Sequence, residues 1–288
     1  MKTLGLTFAG GGNRAFYQLG LMNQWGSQIW PHVGAVAACS AGACVVTFIL
    51  SGRQHEAGEF WKQRREGVVK NFVWSNLLKG QRPTPHAPIY RDTLLHAFAE
   101  GGLARVQNQP FPIWVLTTKI LPWLPALATV MLGLSAYSLE KALRKEMIHP
   151  SFGRYLGFTP FAYDARQCRT PAELADLILA SSATPPFTPL GKFSGHRLLD
   201  GGIIDNAPAF LLDQDGSIEQ TVVFLTRPYP VHVLGIQGPR LYIAPTTDTP
   251  VDRWDYTRPE LIEATIAMGE SEAQLHEPAL RQFLKHLV

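Results

Sequence analysis

Strand-like segments alternating with helix-like ones along the chain predict an α/β protein with a mainly parallel central sheet. Three observations carry that prediction. Short apolar runs recur at residues 2–9, 32–39 and 111–120. The first two each lead directly into a stretch with helical spacing. The junctions between them, "GGGNR" at 10–14 and "CSAG" at 39–42, are built from small residues.

Taken in order, "KTLGLTFAG" reads as the first buried strand, and "NRAFYQLGLMNQWGS" follows with apolar residues at helical spacing, Phe16, Leu19 and Met22. "HVGAVAAC" is a second strand. "AGACVVTFILSG" is a buried helix stopped at Gly52, a residue suited to the left-handed position after a helix. Residues 56–72 and 91–100 read as helices, and "FPIWVLTTKI" as a strand on its β-branched and aromatic content. A long helix is expected from Ala126 to Ile148, before Pro150, then a strand in "FTPFAYDA". "TPAELADLILASSA" has the capping-box arrangement, with Thr170 as N-cap, Pro171 in the first turn and Glu173 three residues on. "HRLLDGGIIDNAP" and "QTVVFLTRP" carry strand and turn signals, and residues 258–288 finish in helix.

The 288 residues are 46% hydrophobic and 17% charged, enough to bury a substantial core, and show no repeat or linker. Residues 1–288 are therefore read as a single domain. A net charge of +3 without clustered Lys and Arg argues against nucleic-acid binding. Cys39, Cys44 and Cys168 form no even-numbered framework and no C-x-x-C pair, which fits a reducing compartment and argues against a zinc site. The short run after Lys2 ends in glycines, unlike a secretory signal, so a cytoplasmic protein is expected. Residues 120–137 contain no charge, but Pro122 and Pro125 interrupt a run already short of the roughly 20 residues that a spanning helix needs.

Three motifs carry chemistry. "GGGNR" places bare backbone N–H groups at a helix N-terminus, which suits an anion. Gly10, Gly12 and Ala15 formally fit a dinucleotide fingerprint. The acidic residue that should follow about 20 positions later is missing, since the first acidic residue is Glu56. A transient oxyanion is the better match. In "AACSAGA", Ser40 sits among small residues before a helix, the setting of a nucleophile elbow, with Ala38 in place of the usual first glycine. Cys39 beside it has no electropositive sequence neighbour and reads as a buried filler. In "LDGGIIDNAP", Asp200 precedes Gly201 and Gly202 and leaves a carboxylate at the mouth of a tight turn.

In this order, with "ASSATPPFTP" at 180–189 before the D-G-G, these motifs resemble the patatin-like phospholipase family of acyl hydrolases. The resemblance implies a patatin-like three-layer α/β fold with helices on both faces of the sheet. It also implies a Ser–Asp dyad, with Ser40 as nucleophile and Asp200 as general base. Ala38, Cys39, Ala41 and Gly42 would form the elbow, and Gly201 and Gly202 the base turn. The loop Gly10, Gly11, Gly12, Asn13 and Arg14 would hold the oxyanion, with no metal or cofactor. Ala38 and Ala15 depart from the family pattern, each by one methyl group. A Ser–Asp–His triad is disfavoured, although His232, His276 and His286 follow Asp200, because so little chain precedes Ser40.

The expected activity is hydrolysis of fatty acyl esters of the phospholipase A or lysophospholipase type. A broader esterase or thioesterase, or a catalytically silent lipid-binding relative, are the alternatives. The apolar stretch at 120–137 runs into "EKALRKEMIHPSFGR", with Lys141, Arg144, Lys145 and Arg154. Apolar then basic is the order of a segment lying on an anionic membrane, so residues 120–150 are a candidate lid or peripheral membrane contact.

Overall fold

The computed structural model describes residues 3–144 and 146–285, apart from the side chains of Leu77 and Ala126. Lys145 and His286, named above, lie outside the described residues, as do the first two residues of the chain and its last two. The chain begins with β1 (Leu4–Phe8), α1 (Phe16–Ile29), β2 (Val33–Cys39) and α2 (Ala41–Ser51). The helices α3 (Gln54–Gln63), α4 (Ser75–Leu78), α5 (His86–Phe98) and α6 (Gly102–Gln107) lead to β3 (Ile113–Lys119). Then come α7 (Ala126–Leu143), α8 (Phe152–Tyr155), β4 (Thr159–Asp164), α9 (Pro171–Ser181), β5 (Gly191–Phe193) and β6 (His196–Asp200). The chain finishes with β7 (Gln220–Phe224), β8 (Gly235–Gln237), β9 (Arg240–Ile243) and α10 (Glu260–Leu284).

The nine strands among the described residues join one sheet in the order β5-β6-β3-β2-β1-β7-β9-β8, with β4 also on β3. The central run β3-β2-β1-β7-β9 is parallel throughout, as expected, and the antiparallel pairs lie towards the margins. Side chains alternate between two cores, as strand geometry requires. Leu4, Leu6 and Phe8 of β1, with Val222 and Phe224 of β7, face the large core under α1, α2, α5, α9 and α10. Val223, Ala35 and Ala37 face the opposite side, and further along that side α7 covers Leu116, Leu199 and Ile203. Helices thus lie on both faces.

One detail of the register brings two strand ends together. β4 pairs with β3 along 114–119 and so occupies one edge of that strand. The other edge is shared: β2 pairs with its first part, ending at Cys39 opposite Leu116, and β6 pairs with the rest, ending at Asp200 opposite Thr117. Because β2 runs parallel and β6 antiparallel to β3, their C-terminal ends meet head to head. β5 and β6 themselves form a hairpin whose two-residue turn, Ser194–Gly195, has positive φ at both positions (46° and 76°).

Two predicted helices are shorter than the sequence suggests. α3 stops at Gln63, and the chain unwinds through Gly67 at φ 78°. Arg65 there turns inward, its guanidinium donating to the backbone carbonyls of Asp255 and Tyr256. α7 stops at Leu143 instead of Ile148. The chain folds back because the buried Glu140 carboxylate accepts from Ser151 N, Ser151 Oγ and Phe152 N at 2.7–2.9 Å, capping α8 from another helix. At α9 the expected N-cap forms, with Thr170 Oγ1 accepting from Glu173 N at 3.1 Å, but the Glu173 carboxylate reaches one residue further back and accepts from Arg169 N instead of closing the box on Thr170 N. Among the described residues no helix is long and apolar enough to cross a membrane.

Candidate active site

The turn from β2 to α2 is one residue long, and Ser40 is that residue. It sits at φ 52°, ψ −128°, a conformation that non-glycine residues rarely adopt, at a cost on the order of 1–3 kcal/mol. Two contacts hold it there. Ser40 N donates to Ser181 Oγ at 2.8 Å, and Ser181 Oγ in turn donates to Leu116 O of β3 at 2.6 Å. Gly42 lets α2 start this close to β1, since a Cβ on it would stand 2.3 Å from Phe8 O. Ala38 lies two residues earlier, in extended backbone paired with Phe8 and Val115, and is completely buried. The backbone strain of the elbow therefore falls on Ser40, and position 38 needs no glycine. The small side chain of Ala41 lies with Ser40 on the pocket wall.

Asp200 arrives from the other side of the meeting point. Its N donates to Ala183 O at 2.8 Å, and its carbonyl accepts from Thr118 Oγ1 at 2.9 Å, fixing the end of β6 on β3. Its Oδ1 accepts from Gly202 N at 2.7 Å and from the buried Cys39 Sγ at 3.7 Å. Burial raises the Asp200 pKa above the usual carboxylate range. The Gly202 N–H, then the facing Ser40 hydroxyl, then the charge of Arg253 stabilise its ionised form against that penalty. Burial, then the neighbouring Asp200, pushes the Cys39 thiol well above its ordinary value, so it stays protonated. Gly201 packs under the turn against Leu116 and Cys39.

The glycine loop divides into structural and open members. Gly10 N donates to Asn206 O at 2.9 Å, while Gly10 O accepts from Asn206 Nδ2 and Thr226 Oγ1. Asn13 N donates to Arg253 O at 3.1 Å, and its side chain donates to Asp255 O. Both N–H groups are spent, which corrects the expectation that the whole of Gly10–Arg14 offers donors. Gly11 and Gly12 line the same pocket as Ser40 and Asp200, and neither N–H has a partner among the described residues. Gly12 has φ 58°, and a Cβ on it would collide with Arg253 O at 2.3 Å. Arg14 braces the loop, with Nε donating to Gly11 O at 3.3 Å; burial, and next Arg253, lower its pKa to about 10.

Beyond Ser40 the pocket is mainly apolar, walled by Phe16, Val45, Trp61, Leu134, Ile203 and Trp254. His86 stands in its wall against the Tyr256 hydroxyl, and burial lowers its pKa to about 3, so it is neutral. Sequence reasoning missed Ser181, Asn206, Thr226 and Arg253. Ser181 and Asn206 fall within the chemistry-bearing motifs already noticed, "ASSATPPFTP" and "LDGGIIDNAP", Thr226 falls in the strand segment "QTVVFLTRP", and Arg253 falls in no quoted stretch. Neither His232 nor His276 is at the site: His232 meets Glu146, and His276 lies by Glu272. Such an arrangement can activate a hydroxyl against a bound carbonyl and hold the resulting oxyanion between two N–H groups.

A family model described as patatin-like phospholipase matches residues 6–213. No curated protein matches. Among solved structures, VipD from Legionella pneumophila aligns with a TM-score of 0.46 and 13% identity, covering 94% of this chain and 66% of that one. At that score the likeness is too remote to bear on function.

Proposed function

The chain belongs to the patatin-like phospholipase family, and on that premise we propose that it is a lipid acyl hydrolase working through Ser40 and Asp200. The observation that carries the reading is the head-to-head meeting of β2 and β6 on one edge of β3. It brings a strained, partly exposed serine to a carboxylate whose ionised form that serine stabilises.

In the proposed reaction Ser40 Oγ attacks the ester carbonyl carbon while its proton passes to Asp200. Negative charge develops on the carbonyl oxygen, where the free N–H groups of Gly11 and Gly12 receive it. Collapse breaks the carbon–oxygen bond to the alcohol, which leaves with the proton from Asp200, and the acyl group stays on Ser40. Water then gives a proton to Asp200 and attacks the acyl-enzyme carbonyl; collapse breaks the bond to Ser40 Oγ, which takes the proton back from Asp200 as the fatty acid leaves. The acyl chain lies along Phe16, Val45, Trp61 and Leu134. The regular geometry of Ala38 removes the main reason to expect a silent relative, and the apolar wall favours a fatty acyl group over a small one.

Residues 1–288 form one domain in this reading, since β7, beyond the matched span, pairs with β1 and α10 packs on α1. The exposed Trp123, Leu127, Met131, Leu139 and Leu143, on and just before α7, are the proposed membrane contact. The test is hydrolysis of a soluble acyl ester and of phospholipid vesicles by wild type, Ser40→Ala and Asp200→Ala, with a chelator present. The expected loss in either variant is on the order of 10³-fold or more. Full activity in both overturns the dyad, and chelator sensitivity overturns a mechanism resting on backbone donors.

A further inference from the structure

Basic residues elsewhere in the protein commonly meet an acid: Arg53 with Glu100, Arg91 with Asp176, Arg166 with Asp164, Arg240 with Asp213. Around the glycine loop four do not. Arg14 braces the loop from within. Arg253 lies against Gly12, where a Cβ would stand 2.6 Å from its Cγ, and lines the pocket with Ser40 and Asp200. Arg227 follows Thr226, which holds Gly10 O, and its guanidinium lies 3.9 Å above the Tyr229 ring. Lys141 stands one helical turn beyond Tyr137, which also lines the pocket. All four are half-buried, and among the described residues none forms an ion pair.

These cations act on one another. Burial, then Arg253 and Arg227, disfavour the charge on Arg14; burial, then Arg253, Arg227 and Arg14, disfavour that on Lys141. Asp200 offsets part of the charge of Arg253, but like charges gathered out of water are costly, and a multiply charged anion reverses the sign of the interaction. Their position is informative. Arg253 and Tyr137 line the same pocket as Gly11, Gly12 and Ser40, so the alcohol portion of an ester whose carbonyl sits at those glycines can be placed beside them. Arg14 and Arg253 also hold the oxyanion loop, so Lys141 and Arg227 are the members free of that duty.

We propose that Arg14, Lys141, Arg227 and Arg253 form a seat for a phosphate group on the alcohol portion of the substrate, which selects phosphorylated alcohols over neutral glycerides. This rests on the hydrolase reading above. It assigns Lys141 inward to substrate, away from the membrane-facing role that its sequence neighbourhood suggests.

The test compares kcat/KM for a soluble short-chain monoacylglycerol phosphate with that for the matched monoacylglycerol, in wild type and in Lys141→Gln/Arg227→Gln. Soluble substrates remove any attraction to a charged vesicle. The seat predicts that wild type prefers the phosphate ester, and that the ratio falls roughly tenfold or more in the double variant. Lys141→Arg/Arg227→Lys, which keeps both charges, should restore most of it. Inorganic phosphate should inhibit monoacylglycerol hydrolysis competitively in wild type and less in the double variant. A wild-type ratio near one, or a ratio unmoved by the double variant, overturns the seat while leaving the hydrolase standing. Binding of inorganic phosphate without preference for the phosphate ester overturns the substrate assignment in favour of a free-anion site. If neither ester is cleaved, the hydrolase reading fails, and calorimetry with inorganic phosphate judges the seat alone: no difference between wild type and double variant overturns it.

Discussion

Cys39 Sγ donates to Asp200 Oδ1 at 3.7 Å, although the two residues end strands from opposite halves of the chain. The thiol sits directly before Ser40, yet its burial and the adjacent carboxylate keep it protonated. Its role is to fill the space beneath the base turn.

Thiol chemistry should therefore leave the enzyme working. Native protein treated with iodoacetamide is expected to keep its esterase activity, with Cys39 unmodified by peptide mass analysis. Cys39→Ala should retain activity within roughly tenfold, since it loses one weak hydrogen bond and a small buried volume. Inactivation that tracks alkylation of Cys39 would overturn this.

Ala38→Gly, which restores the commoner elbow pattern, should not raise kcat. Position 38 is a regular, buried strand residue. The change should instead destabilise the fold by about 0.5–1 kcal/mol, read as a lower Tm. Gly42→Ala is the contrasting case. Its added methyl meets Phe8 O and Ala9 O, and forcing a methyl into such a contact costs about 1–3 kcal/mol and displaces Ser40. A more active Ala38→Gly, or an unimpaired Gly42→Ala, contradicts the placement of strain at Ser40.

The raised pKa of Asp200 has two opposite consequences. A base works ionised, so kcat/KM should fall as pH drops through a value above the usual carboxylate range. Stability runs the other way. A carboxyl whose folded-state pKa lies above its unfolded value stabilises the fold most below the unfolded value, and that contribution is lost as pH rises through the folded one. Asp200→Asn, which keeps an acceptor for Gly202 N, should raise Tm at neutral pH, with the gain vanishing in acid. A gain that grows on acidification has the wrong sign.

The exposed apolar side chains near and on α7 predict vesicle binding. Full burial of one such side chain is worth about 1.5–3 kcal/mol, and partial insertion less. Trp123→Ser/Leu127→Ser/Met131→Ser should weaken co-sedimentation with phospholipid vesicles by roughly tenfold or more. Hydrolysis of a soluble short-chain ester serves as the control for folding. Equal sedimentation of variant and wild type assigns that face to water.

Much of the fold was legible because strands 4–8, 33–39 and 113–119 are long enough to show their character. β5 and β8, at three residues each, show no period at all, and β9 is scarcely longer. The early end of α7 is set by Glu140 capping a helix that follows it in the chain, a tertiary contact that leaves no local sign. At the site, Ser40 and Asp200 could be named from motif order alone. Which loop N–H groups are open could not, because Asn206 and Arg253, far along the chain, take up those of Gly10 and Asn13. The cations at 14, 141, 227 and 253 form no run in the sequence and gather only in the folded chain.

The Ser194–Gly195 turn fixes the register of β6 on β5, and β6 carries Asp200 to its place opposite Thr117 of β3. Side chains in a strand alternate faces and advance about 3.3 Å per residue. One residue inserted or deleted in that turn would shift β6 by one step, swing the Asp200 carboxylate to the opposite face and replace it with a neighbour. The proposed chemistry thus depends on the length of a surface loop that touches no substrate, and variation in chain length there is far less tolerable than its exposed position suggests.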